Sequence, residues 1–353
     1  MRKEGMIIMR RVTLFKTGIN VNKNGFGALP IQRVDFEQAE KILKKAYDNG
    51  IDFYDTARFY TDSEEKIGRF LSPVRDKIII ASKTMAKNAN DFNNDLETTL
   101  KMLKTDYLDI YQFHDARVCY KFGDGTGLCE AMEKAKKDGK IKHIGITTHR
   151  LNVAKEAIET GFFETIQYPF NYLATEDDME VYKMAVKANM GFICMKAMSG
   201  GLITNSKASY AFLEQFDSLV PIWGIQRESE LDEFLSYGQQ DVKLTDDLKA
   251  VIEKDKKELS GNFCRGCGYC MSSCPVGIKI DDCARMSLMI RRAPSYRMLS
   301  DENQANMKKI AECIHCGACK AKCPYGLDTP KLLEENYKDY MEILKTGEIK
   351  PLK

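Results

Sequence analysis

The stretch Ile51-Asp52-Phe53-Tyr54-Asp55-Thr56-Ala57-Arg58-Phe59-Tyr60 decides how the chain is read. Ile51 to Tyr54 is a short apolar run of the kind that forms a buried strand. Asp55-Thr56-Ala57 ends it, and Tyr60 follows on the next loop. Two later runs finish in the same manner. Ile78-Ile79-Ile80-Ala81-Ser82 delivers Lys83, and Leu108-Asp109-Ile110-Tyr111-Gln112-Phe113 delivers His114. Asp55, Tyr60, Lys83 and His114 therefore each lie at or just beyond the carboxyl end of an apolar run. In a parallel α/β barrel those ends open onto one face, where active sites are built.

The same alternation extends in both directions. Helical periodicity appears at 35–49, 63–71, 91–103, 127–138, 151–160, 176–188, 206–216 and 229–237, the seventh of these after a long loop. Short apolar runs fall between at 51–54, 78–81, 108–113, 141–146, 165–168, 191–195 and 219–223. Asn49-Gly50, Asp138-Gly139 and Met190-Gly191 supply helix stops before strands. Strand–helix repetition at this spacing predicts a parallel sheet with right-handed crossovers. With a first barrel strand at 25–29 the units number eight, enough to close a (β/α)8 TIM barrel. Residues 12–18 read as an earlier strand, part of a hairpin that plugs the bottom of the barrel, with a polar Asn-Lys-Asn turn at 22–24.

At 353 residues the chain is long enough for one large barrel plus a small module. The division falls at 1–257 and 258–353. A formal net charge of +2, with lysines and acids mixed rather than run in blocks, argues against a nucleic-acid partner. The first ten residues hold no apolar core of signal-peptide length. No run approaches the ~20 apolar residues of a membrane helix. The reading is a cytoplasmic protein with no membrane association.

Of 12 cysteines, eight form two tight groups near the C-terminus, which in the cytosol points to metal rather than disulfides. Cys264-x2-Cys267-x2-Cys270-x3-Cys274-Pro275 recurs as Cys313-x2-Cys316-x2-Cys319-x3-Cys323-Pro324. This resembles the two-cluster bacterial ferredoxins, in which three closely spaced cysteines curl around one 4Fe-4S cluster and the fourth reaches the other. The resemblance implies one cluster on Cys264, Cys267, Cys270 and Cys323, and a second on Cys313, Cys316, Cys319 and Cys274. Zinc is the competing reading, but its sites use two ligand pairs, and a third cysteine at the same gap would be surplus. The spacer between the motifs is long, with helices expected at 281–292 and 302–310, as in the helical ferredoxin form fused inside larger redox enzymes. An amphipathic helix at 328–344 is expected to pack onto the barrel. Cys119, Cys129, Cys194 and Cys283 read as small buried thiols. His315, inside the second motif, reads as passive.

The first two-thirds of the chain resembles the aldo-keto reductase superfamily, from about residue 25 to about 235. The residues that carry the resemblance are Asp55-Thr56-Ala57, Tyr60, Ser63-Glu64-Glu65-Lys66-Ile67-Gly68, Lys83 and His114. It implies a catalytic tetrad of Asp55, Tyr60, Lys83 and His114 that reduces a carbonyl with NAD(P)H. Tyr60 would supply the proton. A free phenol, with a pKa near ~10, is a poor donor at neutral pH, and Lys83 beside it would lower that value. Asp55 would hold the ammonium and His114 would orient the carbonyl. The alternative, ordinary polar residues at strand ends, is the weaker account of four matching positions. The resemblance also implies nucleotide contacts from Thr147 and Thr148, where relatives carry Ser-Asn, and from Gln167, Lys196, Gln226 and Arg227. Lys196 stands where relatives stack a tyrosine. Glu230 falls near a position where NADP-preferring relatives carry arginine, so NADH and NADPH both stay open.

The two halves pose a chemical mismatch: a nicotinamide passes a hydride, a 4Fe-4S cluster one electron. Three readings follow. The chain is a nicotinamide-dependent reductase whose clusters are structural or dock a ferredoxin or other redox protein. Or its clusters feed single electrons to a barrel-bound substrate. Or it is a redox sensor that binds a ligand without turnover. Exposed clusters would suit an anaerobe. The loop at 115–126 is expected to shape the pocket for a small carbonyl substrate.

Overall fold

The computed structural model describes residues 10–200, 203–259, 263–264, 270–291, 298–323 and 326–350. The chain divides into two compact units, Met1–Lys249 and Ala250–Lys353.

In the first unit eight parallel strands close a barrel. They are β3 (Gly25–Gly27), β4 (Phe53–Asp55), β5 (Ile79–Thr84), β6 (Leu108–Phe113), β7 (Ile141–Thr147), β8 (Thr165–Pro169), β9 (Gly191–Met195) and β10 (Leu219–Gly224). β10 pairs with β3 to complete the ring. The intervening helices are α1 (Phe36–Asp48), α2 (Ser63–Leu71), α3 (Ala89–Leu103), α4 (Leu128–Lys137), α5 (Leu151–Thr160), α6 (Glu176–Lys187), α7 (Ser206–Glu214) and α8 (Glu228–Gly238). This is the expected (β/α)8 architecture. Local chemistry starts the helices. The Asp35 carboxylate accepts from Gln38 N at 2.7 Å, and Asn88 Oδ1 accepts from Asp91 N at 2.9 Å. Each such cap contributes about 1 kcal/mol. The Asn88 cap opens α3 two residues before the expected start. β4 begins at Phe53 because the Ile51 amide still bonds Ala46 O and closes α1.

Residues 12–18 do not form one strand. β1 (Arg11–Thr13) ends in a 3-10 turn at Phe15–Thr17, where Thr17 Oγ1 donates to Leu14 O. The chain then returns as β2 (Asn20–Asn22), antiparallel to β1. The hairpin does plug the barrel. Val12, Leu14, Ile19 and Val21 are buried in one cluster with Phe53, Ala81, Ile110, Ile193, Val220 and Ile222 from the strands. Leu14 lies so close to the first residue of β9 that a Cβ on Gly191 would stand 3.0 Å from Leu14 Cβ. The plugged end is therefore the amino end, and the opposite face is left for chemistry.

α9 (Asp246–Leu259) leads into the second unit, whose further helices are α10 (Ile280–Cys283), α11 (Met286–Ile290), α12 (Asp301–Lys308), α13 (Ala318–Ala321) and α14 (Thr329–Thr346). The helix expected at 281–292 is broken in two. Arg285 leaves helical geometry at φ −120°, and its side chain takes the Asp281 carbonyl at 2.8 Å. The helix expected at 302–310 ends at Lys308 in a 3-10 turn, Lys309–Glu312. The amphipathic helix expected at 328–344 is α14, whose Leu333, Tyr340 and Ile343 are buried in the second unit's core with Cys264, Cys270 and Cys319. Among the described residues no helix is long and apolar enough to cross a membrane.

Candidate active site and cysteine pocket

Asp55 is the last residue of β4, Lys83 the second-last of β5, and His114 follows β6. The register pairs Asp55 with Ala81 and Lys83 with Gln112, so the carboxyl ends of three neighbouring strands meet. Lys83 Nζ donates to Asp55 Oδ1 at 2.7 Å and to Thr56 O at 2.6 Å. Both partners are almost fully buried, at 1 % and 2 % exposure. Tyr60 sits on the loop before α2, its ring centre 5.1 Å from Lys83 Nζ. The His114 ring packs edge-on against Tyr60, with centroids 5.5 Å apart. Phe59 meets the same imidazole at 6.4 Å. The structure thus brings all four expected tetrad residues together.

Burial governs their protonation. It raises the Asp55 carboxyl, with the Lys83 charge and hydrogen bond opposing, and lowers the Lys83 amine, with Asp55 opposing. The His114 imidazole is pushed down to about 3, by burial and then by the Lys83 charge, so it is neutral at physiological pH. The expectation that Lys83 would depress the Tyr60 phenol does not hold. Burial raises it, and Asp55 and Asp115 add to the rise. The main reason is desolvation of the phenol, and the Lys83 ammonium lies over the ring, 5.1 Å from its centre. Tyr60 is accordingly a protonated phenol.

The expected nucleotide contacts are distributed unevenly. Thr147 Oγ1 accepts from Asp115 N at 2.7 Å. Thr148 Oγ1 donates to Ala116 O at 2.8 Å and accepts from Arg150 N at 3.1 Å. Gln167 points into the tetrad, its Nε2 3.4 Å from Asp55 Oδ1 and its Oε1 accepting from Gln112 Nε2 at 2.9 Å. Lys196 has left-handed backbone, φ 57°, and its carbonyl accepts from Asn171 Nδ2. Arg227 pairs through Nε and Nη2 with Glu230 Oε1, at 3.0 and 2.6 Å. Among the described residues, Gln226 Oε1, Asp55 Oδ2 and His114 Nδ1 are buried without a hydrogen-bond partner. Unsatisfied polar atoms on this face suit a polar ligand such as a nicotinamide nucleotide with its carbonyl substrate. Sequence reading missed Gln112, although a glutamine inside an apolar strand was the signal for it. It also missed the 2.8 Å contact between His149 Nδ1 and Asp115 Oδ1, which joins two loops and leaves no local trace.

A protein-family model described as the aldo/keto reductase family matches residues 23–258 of the 353. The chain belongs to the aldo/keto reductase family. Among similar members, the uncharacterised oxidoreductase YrpG of Bacillus subtilis is 28% identical over 227 residues, covering 55% of this chain and 68% of the relative. Aldo-keto reductase YhdN of the same organism is 27% identical, covering 56% of this chain and 64% of the relative. Among solved structures, an aldo-keto reductase from Bacillus halodurans in its holo form superposes with a TM-score of 0.62 at 20% identity, covering 70% of this chain and 96% of that one. One from Klebsiella pneumoniae, solved in complex with NADPH, gives 0.58 at 18% identity, covering 70% and 95%. These likenesses show the barrel fold.

This aldo/keto reductase carries a second match, to a 4Fe-4S dicluster domain, over residues 263–328. There Cys274, Cys313, Cys316 and Cys319 line one cavity, walled also by Ile278 and Leu333. Ile278 N lies 3.3 Å from Cys274 Sγ, a donor aimed at the sulfur. Cys264 and Cys270 are buried in the same core, and Cys323 is half-buried. No disulfide forms among the described cysteines. Cys267 lies outside the described residues. The four thiols share this cavity, but among the described residues no three His, Cys, Asp or Glu side chains stand together as a preformed metal site. His315 is largely exposed and faces Glu334 at 3.5 Å.

Proposed function

We propose that the barrel reduces an aldehyde or ketone, or runs the reverse alcohol oxidation, with a nicotinamide nucleotide. The observation that carries this reading is the buried Lys83–Asp55 pair beside Tyr60, with His114 edge-on to the same ring. A nicotinamide nucleotide, when bound, supplies the hydride. The chain's own residues would do the rest. Neutral His114 has one N–H with which to orient the carbonyl oxygen. Tyr60 gives its proton to that oxygen as negative charge develops. Lys83 stabilises the phenolate left behind, and Asp55 with the Thr56 carbonyl keeps the ammonium charged and aimed. Gln226, Thr147, Thr148, Gln167, Lys196 and Arg227 are the candidate nucleotide contacts, and the Gln226 amide oxygen has no hydrogen-bond partner among the described residues.

For the second unit we propose two 4Fe-4S clusters, one on Cys264, Cys267, Cys270 and Cys323, the other on Cys313, Cys316, Cys319 and Cys274. The cavity lined by the described thiols of the second set supports that allocation. The clusters would dock a ferredoxin or other redox protein in the cytoplasm. A second reading, single-electron delivery to a barrel-bound substrate, is favoured by one set of observations. The Thr148 hydroxyl, the Gln167 amide and the Arg227 guanidinium are already engaged within the protein.

The test is anaerobic. Cluster-loaded protein receives NADH or NADPH with a panel of aldehydes and ketones, and nucleotide oxidation is followed. Carbonyl-dependent oxidation that falls about 10²–10⁴-fold in Tyr60→Phe is the expected result. No oxidation with either nucleotide, while reduced ferredoxin drives turnover, would favour the second reading.

A further inference from the structure

We propose that Arg58 and Glu64 form a clamp that holds Tyr60 and Lys83 at their reacting separation, which makes both of them positioning residues. The inference rests on Tyr60 being the proton donor.

Glu64, in the first turn of α2, has a side chain only 1 % exposed. One carboxylate oxygen accepts from Ser82 Oγ at 2.6 Å and from Thr99 Oγ1 at 2.9 Å. The other pairs with Arg58 Nη1. Ser82 immediately precedes Lys83 on β5, and Arg58 lies between Asp55 and Tyr60. The Arg58 amide also donates to the Lys83 carbonyl, at 3.0 Å. A single carboxylate therefore ties the loop bearing Tyr60 to the strand bearing Lys83, and Thr99 anchors the assembly on α3. The Tyr60 loop needs such an anchor. Thr61 has left-handed backbone at φ 37°, and neighbouring Phe59 is half exposed. Within the loop Tyr60 N bonds Ala57 O and Ser63 N bonds Tyr60 O, while Thr61 Oγ1 to Gln32 Oε1 and Ser63 Oγ to Ala28 O hold its far end; none of these reaches β5.

A buried carboxylate is a poor stabiliser, because desolvation cancels most of what the pairing returns. An apolar pair of similar volume would pack at least as well. What an apolar pair lacks is direction. The planar guanidinium fixes an angle as well as a distance. The ion pair is thus better explained by where it puts the loop than by stability.

The experiment uses the full, cluster-loaded chain. The double variant Arg58→Leu/Glu64→Leu removes both charges together, so that no lone charge is left buried. Arg58→Lys and Glu64→Gln are made singly, and the double variant is also built on Tyr60→Phe. Thermal unfolding, kcat and KM are measured for each. The clamp predicts unfolding close to that of the parent, a kcat about 10²-fold lower, and KM near the parent value. It predicts partial recovery in Arg58→Lys relative to the double variant. On Tyr60→Phe the same change should cost little more, because the group it positions is gone. A parent-like kcat in the double variant overturns the proposal. So does an equal fold-loss with and without the Tyr60 hydroxyl. If Tyr60→Phe alone leaves the rate intact, the proton-donor reading falls and the clamp falls with it. Should the double variant not fold, Glu64→Gln, which keeps the volume and one acceptor oxygen, is judged by the same criteria.

Discussion

A lysine with 1 % of its side chain exposed stays charged only through what touches it, and Lys83 touches Asp55 and the Thr56 carbonyl. His114 shows the converse. Burial, and then the Lys83 charge, push it down to about 3 from an ordinary 6.5, with the Asp115 charge opposing. The consequence for stability has a definite sign. Below pH 6.5 the unfolded chain takes up a proton at this residue that the folded chain refuses until about pH 3. Stability from His114 is therefore full above 6.5 and is lost as pH falls from 6.5 towards 3. Glu164, lowered to about 2 by His143, Lys136 and the Ile144 amide against its burial, adds a loss of the same sign below its ordinary 4.5. Urea midpoints measured from pH 7.5 to 5 should fall, and fall less in His114→Gln. A flat profile in the parent would contradict the assignment. Arg227 makes a separate prediction. Glu230 engages its Nε and Nη2, so a 2′-phosphate at this guanidinium would compete with an adjacent carboxylate. Glu230→Gln should lower KM for NADPH several-fold, by about the ~1 kcal/mol of a charge-assisted bond, with little change for NADH.

At the scale of elements, α2 is where fold and site are joined. Its first turn supplies Glu64 to the Tyr60 loop. Its middle approaches α3 so closely that a Cβ on Gly68 would stand 2.1 Å from the Met102 carbonyl oxygen. That neighbour is backbone and has little freedom to yield. Gly68→Ala should separate the two helices, destabilise the barrel by about 1–3 kcal/mol and lower kcat through the displaced loop. Calorimetry and steady-state rates would check both. This helix was legible in the sequence, because Ser63–Leu71 presents its buried positions at helical spacing. The 12–18 segment was not. It reads as one strand through Gly18, whereas a 3-10 turn at Phe15–Thr17, closed by Thr17 Oγ1 on Leu14 O, reverses the chain within it. The 281–292 segment failed for a related reason: the Arg285 side chain competes for a helix carbonyl, and helical periodicity does not register that bond.

For the whole molecule, each unit has a hydrophobic core of its own. That of the second unit contains cysteines among its buried residues, Cys264, Cys270 and Cys319. Removing iron should therefore unfold the second unit, because thiols gathered for a cluster are left in an apolar interior. Anaerobic chelation followed by calorimetry should abolish one transition and leave the barrel's in place. Cysteine variants test the allocation. Cys274→Ala and Cys319→Ala should lose the same cluster, about half the iron, with matching paramagnetic spectra. Cys323→Ala should lose the other. If Cys274 and Cys270 variants share a spectrum instead, the clusters are not interleaved.

The sequence by itself determined the barrel, the placing of Asp55, Lys83 and His114 at neighbouring strand ends, and the cysteine groups. Each is encoded locally: apolar runs of strand length, a polar side chain at the end of three of them, and cysteines at two-residue gaps. Such signals survive without a partner. The tertiary structure alone decided how those residues are held. Asp55 is shared by Lys83 and Gln167, and Glu64 by Ser82, Thr99 and Arg58. It also turned the phenol upward where a neighbouring cation suggested the reverse. Desolvation and competing carboxylates depend on what the closed barrel brings within a few ångströms, and no spacing along the chain records that.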